Sequence, residues 1–150
     1  MNKILICVLA MVLLFAGCGV GIGETVEDYS GSVTLKIHCE TILEKGASAD
    51  DYPGIPVVFD GKVAFTENDT AFDVIEKTLR ENRIHFEFED SSYGKYLKGL
   101  ANIYAGDFGD MSGWLFKVNG EYAEVSCSSY AVNDGDDIEL VYSCEMGDVD

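Results

Sequence analysis

Hydrophobic and polar residues alternate through residues 33–39, with Val33, Leu35, Ile37 and Cys39 on one side and Thr34, Lys36 and His38 on the other. A period of two is that of a strand with one buried face. The same alternation returns in Ile84-His85-Phe86-Glu87-Phe88-Glu89, and again at 138–144, where the inward series is Ile138, Leu140, Tyr142 and Cys144. After Asn68 the period lengthens. Phe72, Ile75 and Leu79, with Val74 and Thr78 beside them, form an apolar stripe at helical spacing, and Asp69 or Thr70 stands where a side chain can cap the free amides. The spacing predicts a helix ending near Asn82, with Glu76, Lys77, Arg80 and Glu81 facing outward.

Two glycine turns divide the remaining apolar runs. Asn119-Gly120 separates Trp114-Leu115-Phe116-Lys117-Val118 from Glu121-Tyr122-Ala123-Glu124-Val125, a tight hairpin that sets Lys117 opposite Tyr122 and Phe116 opposite Ala123. Asp60-Gly61 separates residues 55–59 from 62–65 and reads as a second hairpin, with Pro56 suited to an edge. Residues 90–113 are rich in Tyr and Gly, lack a sustained period and read as a long loop, a place where function concentrates. The elements give an α+β domain with one principal helix packed on one face of a mixed sheet. Their order resembles the β-grasp plan, in which the first and last strands lie side by side and parallel.

The first 18 residues follow another logic. Lys3, an apolar run from Ile4 to Phe15, then Ala16-Gly17-Cys18 is the order of a secretory signal, and the run is too short to span a bilayer. Leu14-Phe15-Ala16-Gly17-Cys18 resembles the bacterial lipoprotein signal, which implies removal of residues 1–17 and acylation of Cys18. Residues 18–32, glycine-rich and acidic, then serve as a flexible tether, and residues 33–150 form the domain. The expected location is the extracytoplasmic face of the cell membrane, held by lipid alone. Charge agrees: 27 Asp+Glu against 10 Lys+Arg give a net charge of −17, which repels phosphate backbones and anionic headgroups and excludes nucleic acid as a partner. The 47% hydrophobic content excludes a disordered acidic chain.

Asn68-Asp69-Thr70-Ala71-Phe72-Asp73-Val74-Ile75, Ser112-Gly113-Trp114-Leu115-Phe116-Lys117-Val118-Asn119-Gly120, the segment from Cys127 to Ile138 and Tyr142-Ser143-Cys144 together resemble a bacterial lipoprotein domain family of unknown function. That family is similar to the C-terminal domain of the cobalamin carriers transcobalamin and intrinsic factor. The resemblance implies a cap that closes over one face of cobalamin or a related corrinoid, with the other half of the site supplied by a partner. By position it makes Trp114, Tyr122, Ser128, Ser129 and Tyr130 the candidate ligand contacts. On its alternation with Phe116 and Val118, Trp114 reads more readily as core, and its place at the strand's start keeps a rim position open.

With Cys18 reserved for lipid, Cys39, Cys127 and Cys144 remain. Outside the membrane disulfides persist, and Cys39–Cys144 is the favoured pair because both end inward series, with Cys127 in either alternative. A zinc site is disfavoured, since there is no CxxC pair and His38 and Cys39 point to opposite strand faces. Asp134, Asp136 and Asp137, like Asp107 and Asp110, lack the spacing of a calcium loop and read as solvated turns. Without a nucleophile motif, phosphate loop or acid/base cluster, the expectation is no enzyme and no required cofactor. The sequence therefore points to a lipid-anchored binding domain for a small ligand or, as the rival reading, a cell-surface module that holds a protein partner.

Overall fold

Residues 28–149 are described by the structure, a computed structural model; the expected signal segment, Cys18 and the tether up to residue 27 lie outside them. Along the chain run β1 (Tyr29–His38), a short helix α1 (Thr41–Glu44), β2 (Val57–Thr66), α2 (Ala71–Glu81), β3 (Phe86–Ser91), β4 (Gly94–Leu100), β5 (Ile103–Tyr104), β6 (Gly113–Val118), β7 (Glu121–Tyr122) and β8 (Asp137–Ser143). They form a five-stranded sheet in the order β2-β1-β8-β6-β7 and a three-stranded sheet in the order β3-β4-β5. β1 and β8 are parallel, with Leu35 beside Ile138 and Ile37 beside Leu140, so the first and last strands are neighbours as the alternation suggested. Among the described residues no helix is long and apolar enough to cross a membrane.

One face of the large sheet is oily because each strand sends every second residue there. Val33, Leu35 and Ile37 of β1 and Ile138, Leu140 and Tyr142 of β8 are buried under Val74, Ile75 and Leu79 of α2. The helix starts where expected: the Thr70 hydroxyl accepts from Asp73 N at 3.3 Å, and the Asp73 carboxylate accepts from Thr70 N at 2.8 Å. Such a reciprocal cap satisfies two amides that have no partner within the helix. The second sheet adds Leu97, Leu100 and Ile103 to the same core.

Three expectations about the elements are corrected. Residues 57–66 are one continuous strand, with Lys36 opposite Asp60 and Leu35 opposite Gly61 in the pairing with β1. Asp60-Gly61 does not turn the chain because neither residue takes a positive φ, whereas Asn119 and Gly120 do, at 53° and 83°. Residues 90–113 are not a structureless loop: they hold the end of β3, all of β4 and β5, and the Ser91–Gly94 hairpin. Finally, β1 begins at Tyr29, so residues 29–32 of the expected tether are already strand.

Cys39, Cys127 and Cys144 are buried free thiols, and the expected Cys39–Cys144 disulfide is not formed. The parallel register explains this. His38 lies beside Val141, which brings Cys39 level with Tyr142 and leaves Cys144 two residues further along. Cys39 points its sulfur at the Pro56 carbonyl, 3.5 Å away, and Cys144 at the Thr41 hydroxyl, 3.6 Å away. Burial pushes the Cys39 thiol up to about 12, helped by the nearby Cys144, so it stays protonated and unreactive.

Candidate functional site

The five candidate contacts divide into two groups. Trp114 belongs to the core: it is 7% exposed, its indole N–H donates to the Ile103 carbonyl at 2.9 Å, and its ring meets Tyr142 edge-on at 5.3 Å. It borders a small cavity of about 120 Å³ together with Phe88, Leu97, Phe116 and Cys127. Ser128 is a fastener. Its hydroxyl accepts from Lys95 N at 3.0 Å, while that of Ser126 donates to the Lys95 carbonyl at 3.1 Å, clamping the 126–129 loop to the start of β4. Gly94 permits the clamp: φ there is 109°, and a Cβ would lie 2.6 Å from the Ser126 hydroxyl. Ser129 is exposed, and its N–H closes the same loop on the Ser126 carbonyl.

Tyr122 and Tyr130 are brought together. Both line an open cavity of about 380 Å³ with Val118, Ala123 and Val125, rimmed by Glu121 and Glu124. Tyr130 is fixed by three contacts: its carbonyl accepts from Ala71 N, its ring meets Phe116 at 6.2 Å, and its hydroxyl donates to Asp136 at 3.0 Å. Burial, then the bond to Asp136, raises the Tyr130 phenol above its ordinary value, so it remains a donor. Asp136 accepts further from Asn133 N and the Asn119 side chain, and so joins the 133–136 turn to the Asn119-Gly120 turn.

Tyr122 is half exposed and stands between two cavities. On its other side Met111, Leu115, Ser143, Met146 and Gly147 line a second, apolar opening of about 430 Å³. The Tyr122 ring lies over the Lys117 ammonium at 5.1 Å, and its hydroxyl donates to the Val149 carbonyl. Lys117 is buried beneath the ring and reaches Glu139 at 4.0 Å; the other Glu139 oxygen meets His38 at 2.5 Å, and His38 meets Glu40. A string of polar side chains, Lys117, Glu139, His38 and Glu40, therefore crosses the face of the sheet opposite α2 and ends under the exposed tyrosine. Such pairing makes a buried ammonium tolerable and holds Tyr122 in one place.

Sequence reasoning missed Met111, Leu115 and Met146. Leu115 was accessible, because the hairpin register that sets Lys117 opposite Tyr122 also puts Leu115 on that face. Met111 and Met146 lie outside the strands, where no period assigns a side. Two thioethers exposed at 75% and 90% beside an aromatic ring make an adaptable apolar surface. Among the described residues, no group of three or more His, Cys, Asp or Glu is arranged to hold a metal ion.

A helix-backed mixed sheet, a second small sheet and an exposed tyrosine between two open cavities define a small α+β domain. Residues 68–143 match the model of the domain of unknown function DUF4430, and the chain belongs to that family. Haptocorrin, solved in complex with Cbi, superposes with a TM-score of 0.61 at 21% identity over 79% of this chain and 26% of its own. The chain thus spans about a quarter of haptocorrin's length, and the likeness is one of fold. A Ruminococcus gnavus protein proposed to bind metal gives a TM-score of 0.48 at 17% identity over 75% of this chain and 96% of its own. No curated protein matches. The resemblance drawn from the residues stands: this is a domain of unknown function with a transcobalamin-like fold.

Proposed function

We propose that this chain is a non-catalytic, lipid-anchored binding domain on the extracytoplasmic side of the cell membrane, covering one face of cobalamin or a similar flat corrinoid while a partner covers the other. The observation that carries the reading is Tyr122, an exposed, immobilised aromatic ring between open cavities of about 380 and 430 Å³. Ligand sites are mostly apolar hollows with a few placed polar groups, and they enclose most of the ligand. Two shallow hollows either side of a ring suit a surface that caps a broad ligand. The fold likeness to haptocorrin, a protein solved with Cbi and about four times the length of the matched part, supports both the ligand class and the need for a partner. In this reading the large sheet with its parallel β1–β8 centre and single α2 is a β-grasp arrangement, and the domain needs no cofactor of its own.

The test is titration of the protein with cobalamin and related corrinoids, alone and with a candidate partner. Tyr122→Ala is expected to weaken binding by about 2 kcal/mol, roughly 30-fold, as loss of an aromatic anchor does, with little change in melting temperature. Absence of corrinoid binding in every combination overturns the ligand reading. Capture of a specific surface protein in its place then favours the interaction module, for which the exposed aromatic and methionine surface is equally suited.

The anchor is tested separately. Removal of residues 1–17 leaves Cys18 first, so mass spectrometry is expected to find an acylated Cys18 and no Met1. Cys18→Ser is expected to move the protein from the membrane to the soluble fraction. Recovery of Met1 on the membrane-bound protein overturns the anchor.

A further inference from the structure

We propose that β2 pairs with β2 of a second copy of this chain, joining two five-stranded sheets across a two-fold axis at Gly61. β2 is an outer strand of its sheet and is ten residues long. Its sequence is complementary to itself about Gly61: Asp60 and Lys62 flank it, then Phe59 and Val63, then Val58 and Ala64. An antiparallel self-pair with Gly61 opposite Gly61 therefore sets Asp60 of each copy against Lys62 of the other, and Phe59 of each against Val63. The register with β1 keeps these pairs on separate faces. Asp60 and Lys62 lie opposite Lys36 and Thr34, on the face away from α2, while Phe59 and Val63 lie opposite Ile37 and Val33, on the α2 face. Opposite charges and apolar residues facing across strands each contribute about 0.2–1 kcal/mol, and the two-fold axis makes every such pair occur twice.

The other edges do not offer this. With a net charge of −17, copies of this chain repel one another and can meet only through a locally neutral surface. β2 carries one acid and one base. β3, an outer strand of the small sheet, carries Glu87, Glu89 and Asp90, so self-pairing there stacks like charges. β5 and β7 are two residues each. Along β2, Val57 is 44% exposed, and Phe59 and Val63 border an open cavity of about 210 Å³ beside α2. An outer strand of this length with apolar character is a template for another strand unless something blocks it.

Sedimentation equilibrium of the full chain in a non-ionic detergent tests the pairing. A monomer–dimer equilibrium is expected. Asp60→Lys and Lys62→Asp each replace two attractions by two repulsions and are expected to weaken dimerisation about tenfold or more. The double exchange, Asp60→Lys with Lys62→Asp, is expected to restore the dimer, and melting curves are expected to show all three variants folded. A chain that stays monomeric at every concentration overturns the proposal, and so does a dimer indifferent to these exchanges, which meets through another surface. Should a charge variant fail to fold, Gly61→Cys supplies the same answer. Mild oxidation is expected to link it to its own copy across the axis, whereas Tyr93→Cys at the exposed β3–β4 tip is expected not to link; equal linking of both overturns the axis.

Discussion

Trp114→Ala is expected to lower the free energy of unfolding by about 3–5 kcal/mol, a large share of a small domain's stability. The indole fills the space between Tyr142 and the small sheet, and its N–H is the donor to the Ile103 carbonyl in the chain link that carries β5. Truncation opens a cavity between the two sheets and removes that hydrogen bond. Trp114→Phe separates the two effects, because it keeps much of the packing and is expected to cost less than alanine, with about 1 kcal/mol of that from the lost hydrogen bond. Urea denaturation followed by circular dichroism measures both. If Trp114→Ala unfolds at the wild-type midpoint yet has lost ligand affinity, the ring is a contact and the site lies at the small cavity instead of at Tyr122.

Trp114 also shows what the sequence could and could not settle. Its alternation with Phe116 and Val118 placed it correctly on a face, but a face says nothing about what packs against it. The lid is the β3-β4-β5 sheet, of which the alternation showed only β3, because Gly94 and Gly99 interrupt the alternation of β4 and β5 is only two residues long. The strands of the parallel centre, β1 and β8, were legible because their neighbours bury one face and leave the other polar, as in Val33 to Cys39. β2 was misread for a conformational reason: Asp60-Gly61 has turn chemistry, but its pairing with β1 holds both residues extended. At the site, the Asn119-Gly120 turn fixed Tyr122 opposite Lys117 in advance, while the methionines and the serine clamp depend on segments brought close only by the fold.

Asp136→Asn is expected to loosen the Tyr130 side of the site and to change how stability responds to acid. Burial alone pushes the Asp136 carboxyl up, but the hydrogen bonds from the Asn119 side chain, Asn133 N, the Tyr130 hydroxyl and the Asn133 side chain outweigh it and hold the group below its ordinary value. A carboxyl depressed in the folded state favours folding above the pKa of the unfolded chain, about 3.9, and that contribution disappears as pH falls through the lower folded value. Asp148 behaves alike: burial raises it, but bonds from the Ser143 hydroxyl, Cys144 N and Glu145 N prevail and hold it low. Self-repulsion within a chain of net charge −17 acts in the opposite sense, because lowering that charge relieves it. The sign of the wild-type acid slope is therefore set by competition, and the difference between wild type and variant isolates Asp136. At pH 7 the variant is expected to be less stable by about 2–3 kcal/mol, having exchanged a charged acceptor for a neutral one with fewer lone pairs. Below pH 4 the gap is expected to narrow as the wild-type carboxyl protonates. Urea midpoints at pH 7, 5 and 3 measure it; a gap of constant size across that range shows that the carboxylate charge contributes nothing and that Tyr130 is held by packing on Phe116.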